Sequence, residues 1–311
     1  MTVTTMSAFK ALVRREYWEH RRAILKTPIV IAVFFAGIMI LAVITGDHLI
    51  SVNSGSEFSI FDALPKAVDG FEKLDAHEQE KAIQIGLYGP RMLFGFVMLF
   101  VCFYYALASL HDERKDRSIL FWKSLPTSDT ATVLSKFVAI SLLTPILYFL
   151  VTAGFQLFIL LYATVVAWFG GSLGITIWTS SNLFEVLFNS LFSMLAASLW
   201  LSPIWCWSIF ASSWAKKTAF LWVALPIFLI TIAEGWIFHS NHFIELVGKR
   251  VAGGFVILNS NLNNLTGTEL FEGNYIEWYS IFGHMEFWGG LIVSGVFLAG
   301  AIYIRRFRDE S

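Results

Sequence analysis

The stretch HDERKDRSILFWKSLPTSDTATVLSK, residues 111–136, decides how this chain is read. Before it, Met92–Leu110 supplies 19 residues without a charge; after it, residues 137–184 supply 48 more, until Glu185. Apolar runs of about 18 residues or more read as membrane-crossing helices, because in hydrocarbon a helix satisfies its own backbone polar groups. The stretch therefore joins two membrane segments. It packs nine charges around the apolar core ILFW.

The rest of the chain agrees. It is 56% hydrophobic and only 14% charged, with a mean hydropathy of +0.65, against about 25% charged residues in soluble domains. This predicts an all-α, polytopic membrane protein. The net charge of −1 leaves no basic excess for a nucleic-acid partner.

Charge-free windows predict six spans: Pro28–Gly46, Met92–Leu110, Phe137 to about Leu160, Val186 to about Phe210, Thr218 to about Phe238, and Phe287–Ile304. The run Phe137–Phe169 is 33 residues long, about 50 Å as helix against a core of about 30 Å. It is either one long helix kinked near Pro145 or a hairpin of two. Charge asymmetry favours one. With six spans and the N-terminus inside, segments 1–27, 111–136, 216–217 and 305–311 hold 16 of the 22 basic residues but only 8 of the 23 acidic ones. A seventh span would move Lys216, Lys217, Arg305, Arg306 and Arg308 outside. The positive-inside tendency thus predicts six spans with both termini cytoplasmic, N-in and C-in. The long charged region before Pro28 reads as a retained first helix rather than a cleaved signal.

The chain, 1–311, reads as a single transmembrane domain. Residues 7–26 predict an amphipathic helix in the inner interface, with Phe9, Leu12, Val13, Tyr17 and Ile24 on its apolar side. Arg14, Arg15, Arg21 and Arg22, with Trp18, are set toward the anionic headgroups of membrane lipids. Two outer segments are expected, 47–89 and 240–286. In the first, Phe71, Leu74, Ile83, Ile85 and Leu87 suggest a helix ended by YGP at 88–90. In the second, FIELVGKRVAGGFVIL (243–258) is too interrupted for a span. It predicts a re-entrant or interfacial helix turned at Gly253–Gly254.

Several chemistries lack their residues. No G-x-x-x-x-G-K-[ST] occurs, so the chain does not hydrolyse ATP alone. Glu185 and Glu234 fall near outer span ends rather than at midplane, which disfavours a proton-coupled carrier. His239, His242 and Glu245 are a weak metal pattern and read as polar edge residues. Cys102 and Cys206 read as buried thiols. No catalytic residue, metal or cofactor is expected in this chain. The tryptophans read as interface belts, with Trp200, Trp205 and Trp207 open to a role in lining a pathway.

HDERKDR is expected to continue the second span into water. Ile119, Leu120, Phe121, Trp122 and Leu125 would then form a short exposed apolar cluster, stopped by Pro126. Ser128 or Asp129 would cap the next helix. Such a segment is either a docking helix held between two spans or a connector lying in the headgroups.

The order Glu113-Arg114, Leu120, Leu125-Pro126, Lys136 resembles the cytoplasmic segment after span two in type-2 ATP-binding-cassette (ABC) exporter permeases. The layout of elbow helix and six spans is similar over essentially the whole chain. The resemblance implies a permease in a bacterial plasma membrane, paired with a second permease copy as a homodimer. Elbow helix and spans one, two and five would lie near the seam. It also implies a separate ATPase subunit, holding ATP and Mg, docked on Asp112, Glu113, Arg114, Arg117, Leu120, Phe121, Trp122, Leu125 and Pro126. The family carries Gly-Thr after its Glu-Arg; here Arg117-Ser118 stand in that place. The alternative is a scaffold or sensor subunit that docks a cytoplasmic partner without transporting.

Overall fold

The computed structural model describes all residues except 1–4, 55–65, 67, 125–126, 173, 216–217, 267–277 and 308–311. Among the described residues every regular element is helical. Six helices are long and apolar enough to cross a membrane.

Helix α1 (Thr5–Arg21) passes through a π-turn, Arg22–Lys26, directly into α2 (Thr27–Ser54). The expected elbow segment is therefore continuous in helix with the first span. Helix α3 runs from Ala76 to Lys115. Asp75 caps it by accepting from the Glu78 N–H at 2.7 Å. The Gln79 amide donates to the carbonyls of Phe71, Glu72 and Leu74 and pins the preceding turn. The sequence expectation of a helix ended at YGP is corrected: Pro90 sits inside α3, buried. A membrane helix tolerates such a proline where neighbouring groups take up the freed carbonyl.

After α4 (Ser118–Ser124), α5 (Asp129–Val138) begins on Ser128, whose hydroxyl accepts from the Ala131 N–H. It continues through a second π-turn, Ala139–Leu143, into α6 (Thr144–Phe169). Long helix, not hairpin, is the outcome. The wide turn immediately precedes Pro145, whose ring crowds the carbonyl four residues back. The Thr144 hydroxyl donates to Ala139 O at 2.8 Å across it.

A short α7 (Ile175–Thr179) leads to α8 (Leu183–Trp200) and α9 (Ser202–Ser212). The expected single run 186–210 is thus two helices broken at Leu201. Pro203 in the first turn of α9 lacks the N–H needed to continue α8. The Trp205 indole staples the break by donating to Ser198 O at 3.0 Å.

Helix α10 (Ala219–Ile237) is followed by α11 (His242–Thr266), and a 3₁₀ turn at Ser280–Gly283 precedes α12 (Met285–Phe307). No turn occurs at Gly253–Gly254, correcting the expectation. Those glycines serve close approach instead. A Cβ on Gly253 would lie 2.6 Å from Trp200 Nε1, and one on Gly254 2.7 Å from Leu201 Cδ1. Small residues let helix backbones meet where lipid gives no hydrophobic drive to pack.

Helix α3 is the central post. It packs on α6, α9 and α11, around a core that includes Phe94, Met98, Cys102, Tyr148, Met194 and Trp200. Cys102 and Cys206 are buried free thiols. By contrast α2 and α10 bury almost none of their apolar windows against the rest of the chain. Trp168, Trp236 and Trp288 are exposed near helix ends, as interface aromatics are.

Candidate functional site

Four helices converge at residues 111–136. Arg15 and Glu16 come from α1, Glu113 from the last turn of α3, Asp129 and Lys136 from α5, and Arg305 from the last turn of α12. In α5 the seven-residue spacing returns Asp129 and Lys136 to one face after two turns. Asp129 at a helix start and Arg305 at a helix end also suit the helix dipoles.

Glu113 is the hub. Its Oε1 accepts from Lys136 Nζ at 2.8 Å and Arg15 Nη2 at 2.9 Å, and its Oε2 accepts from Arg305 Nη1 at 2.7 Å. Glu16, fully buried, accepts from Lys136 Nζ at 3.1 and 3.2 Å and from the Tyr105 hydroxyl at 2.6 Å, and it touches Arg15. Arg305 Nε donates to Asp129 Oδ1 at 2.9 Å. Three cations thus face three carboxylates in the interior, with the exposed Glu19 carboxylate a further 3.6 Å from Arg15 at the rim. That balance is what makes the arrangement tolerable, since a buried ion is costly unless paired and hydrogen-bonded.

Arg114 leaves α3 in a different direction. Its Nη2 donates to Ala215 O at 2.9 Å and to Ser212 O, capping the end of α9. Adjacent residues Glu113 and Arg114 therefore hold different neighbours, one the ionic cluster and the other α9.

The link to α4 turns at Arg117, which has φ 57°. This is the left-handed region, where a Cβ is unfavourable and glycine is preferred. It is also where the resemblance expects glycine. The Ser118 hydroxyl then donates to Glu113 O at 3.2 Å and ties α4 back to α3.

Of the residues expected to form the docking surface, Phe121 is exposed, and Asp112 is exposed beside the His111 ring. Trp122 is half-buried under the Arg15 guanidinium, 4.2 Å from its ring centre. Ile119 is corrected from exposed to core, being 2% exposed. Glu113 likewise is buried rather than extended into water. The side chain of Leu120, and Leu125 and Pro126 altogether, lie outside the described residues.

Helix α1 divides its basic residues. Arg14, Trp18, Arg21 and Arg22 are exposed, with Arg21 over the Trp18 ring at 5.5 Å; Tyr17 is half-buried. Arg15 turns inward. Leu12 and Ile24, expected to face lipid, are buried in protein.

Sequence reasoning missed Glu16, Tyr105, Asp129 and Arg305. One signal was present: Glu16 lies on the helical face running from Leu12 to Ile24, a charge in an apolar stripe. No periodicity relates Arg305 to Glu113, so that pair was invisible.

Other candidates resolve into structural roles. The Trp200, Trp205 and Trp207 indoles donate to the carbonyls of Arg250, Ser198 and Val223. Glu234 caps α11, accepting from the N–H groups of His242 and Phe243 at 2.9 Å each. His239, His242 and Glu245 do not converge. Among the described residues Glu16, Glu19 and His20 do, but the Glu16 oxygens are already engaged.

The contacts connect α4 through α3 to α1, α5 and α12 at Glu113, and to α9 at Arg114. Comparison of the chain with protein-family models, curated proteins and solved structures gave no match in any of the three.

Proposed function

We propose that this chain is the membrane-spanning permease subunit of an ABC exporter, driven by ATP hydrolysed on a separate subunit. One observation carries the reading. The short helix α4 offers Phe121 outward and is joined through Glu113 and Arg114 to helices that include three of the six candidate spans. A subunit that binds α4 can therefore move the bundle as one body. The left-handed Arg117, at the place where the resembled family carries glycine, supports the same assignment. In this reading the 111–136 end is cytoplasmic, as are both termini, and the membrane is a bacterial plasma membrane. ATP and Mg belong to the partner. The thinly packed α2 and α10 offer surface to a second permease copy and to lipid.

The test is purification of the tagged chain from its native membrane in mild detergent. An ATPase with a phosphate-binding loop is expected to accompany it, and Phe121→Asp is expected to release that ATPase while the permease remains folded. Retention of the ATPase by that variant at the wild-type level would remove α4 as the docking element.

A further inference from the structure

At the end of α3 remote from Glu113 lies a cavity of about 380 Å³, within the range of small-molecule sites. Its walls come from α3, from α6, from the segment ahead of α3 and from the approach to α7. Buried Leu87, Leu160 and Ile177 line it with aliphatic side chains. Trp168 and Trp178, each next in sequence to a lining residue, are exposed, as aromatics at a membrane interface are.

The wall is built rather than left over from loose packing. Residues 68–72 reach it before α3 begins, and two contacts fix them there. The Gln79 amide, 8% exposed, donates to the carbonyls of Phe71, Glu72 and Leu74 at 3.1, 3.2 and 3.1 Å. Val68 is seated on Gly170, where a Cβ would lie 2.5 Å from Val68 Cγ2. On the other side Gly174 lines the cavity with φ 65°, a conformation that favours glycine. The Trp178 indole donates to Thr164 Oγ1 at 2.9 Å and ties α7 to α6.

The charge of this wall is one-sided. Among the described residues no lysine, arginine or histidine lines it, and Glu72 is its one carboxylate. Glu72 is exposed and forms no ion pair among the described residues. The neighbouring Lys73 is held by Asp69 at 2.5 Å. Two aromatic residues, Phe71 and Tyr162, share the wall with Glu72. The Tyr162 hydroxyl donates to Met39 O at 2.8 Å, which engages its polar end. Aromatic faces attract ammonium groups, more strongly where water is excluded. A carboxylate, two aromatic rings and aliphatic walls are the parts of a site for a hydrophobic cation.

We propose that this cavity binds a cationic amphiphile, an alkylammonium whose headgroup lies against Glu72 and the aromatic residues and whose hydrocarbon enters the aliphatic chamber. An anionic amphiphile would meet Glu72 with no cation to receive it. A zwitterionic lipid would bring a phosphate that the wall does not match, and a neutral one would gain nothing from Glu72. The site does not rest on the transport reading, and ATPase co-purification bears on that reading alone.

The test is saturation binding of tritiated octyltrimethylammonium to the purified full-length chain in dodecyl maltoside, without any ATPase and at constant ionic strength. Octylphosphocholine, octanoate and tetramethylammonium serve as competitors. Saturable binding is expected, with each competitor weaker than unlabelled octyltrimethylammonium: the first two for want of net positive charge, the third for want of a chain. Glu72→Gln should raise Kd about tenfold, and Phe71→Leu or Tyr162→Leu, which keep the wall apolar, about threefold. Glu72→Asp keeps the carboxylate and should retain most of the affinity, an outcome a merely structural role for Glu72 does not require.

A second variant tests the chamber separately. Gly86 lines the cavity, and no atom lies within 4 Å of the place of its Cβ. Gly86→Leu therefore enters open space without straining α3, and it should weaken octyltrimethylammonium binding about tenfold. Both Glu72 and Gly86 are exposed, so these variants are expected to fold. Absence of saturable binding, wild-type affinity in Glu72→Gln or in Gly86→Leu, or competition by octanoate or octylphosphocholine equal to that of octyltrimethylammonium would each overturn the proposal.

Discussion

The Glu113 carboxylate and the Lys136 ammonium lie 2.8 Å apart with their side chains 8% and 1% exposed. The pair joins the end of α3 to α5, and Arg15 and Arg305 complete the coordination of the same carboxylate. Removing one member leaves opposite charges buried and uncompensated.

Glu113→Gln is therefore expected to destabilise the chain by about 3–5 kcal/mol. Thermal unfolding in detergent measures it. A double variant with Arg305→Gln should be less destabilised than the sum of the singles, because it restores charge balance. Additive losses would mean that the two residues act independently.

Arg117→Gly should stabilise the chain by about 1 kcal/mol, since glycine adopts φ 57° without the Cβ cost. Arg117→Val should do the opposite. If both variants unfold with the wild type, the left-handed turn between α3 and α4 is not held in the folded protein.

Arg114→Ala removes the donor to Ser212 O and Ala215 O at the end of α9. Hydrogen exchange of the amides in 205–215 should accelerate, corresponding to about 1–3 kcal/mol of local opening. Exchange in α1 and α5 should change little, because those helices are held through Glu113.

Gly253→Ala places a methyl group 2.6 Å from Trp200 Nε1, and a loss of about 1–3 kcal/mol is expected. Gly248→Ala, with nothing within 4 Å, is the matched control and should be neutral or stabilising by up to about 1 kcal/mol. Equal behaviour of the two would contradict close packing of α11 on α8.

Much of this architecture was legible along the chain. Each of the six apolar runs falls on one of the six helices long and apolar enough to cross a membrane, although the fourth run continues past its helix into α9, and the cap of α5 was narrowed to Ser128 or Asp129 by residue type. The errors have local causes. Pro203 breaks the fourth run at Leu201, whereas Pro90 is carried inside α3 and Pro145 is absorbed by a π-turn. A proline's effect depends on what its neighbours do with the freed carbonyl, and the chain pattern does not carry that. Gly253–Gly254 signalled a special backbone need, but turn and close contact call for the same residue.

The sequence by itself determined that the chain is helical and membrane-embedded, because hydropathy and run length are one-dimensional properties of successive residues. It also marked 111–136 as the charged joint. Only the tertiary structure decided which charges are buried in pairs and which are solvated. Glu113, Arg15, Lys136 and Arg305 come from four helices and meet only when these pack. Pairing is a matter of distances of about 3 Å between remote residues, and neither period nor composition encodes it.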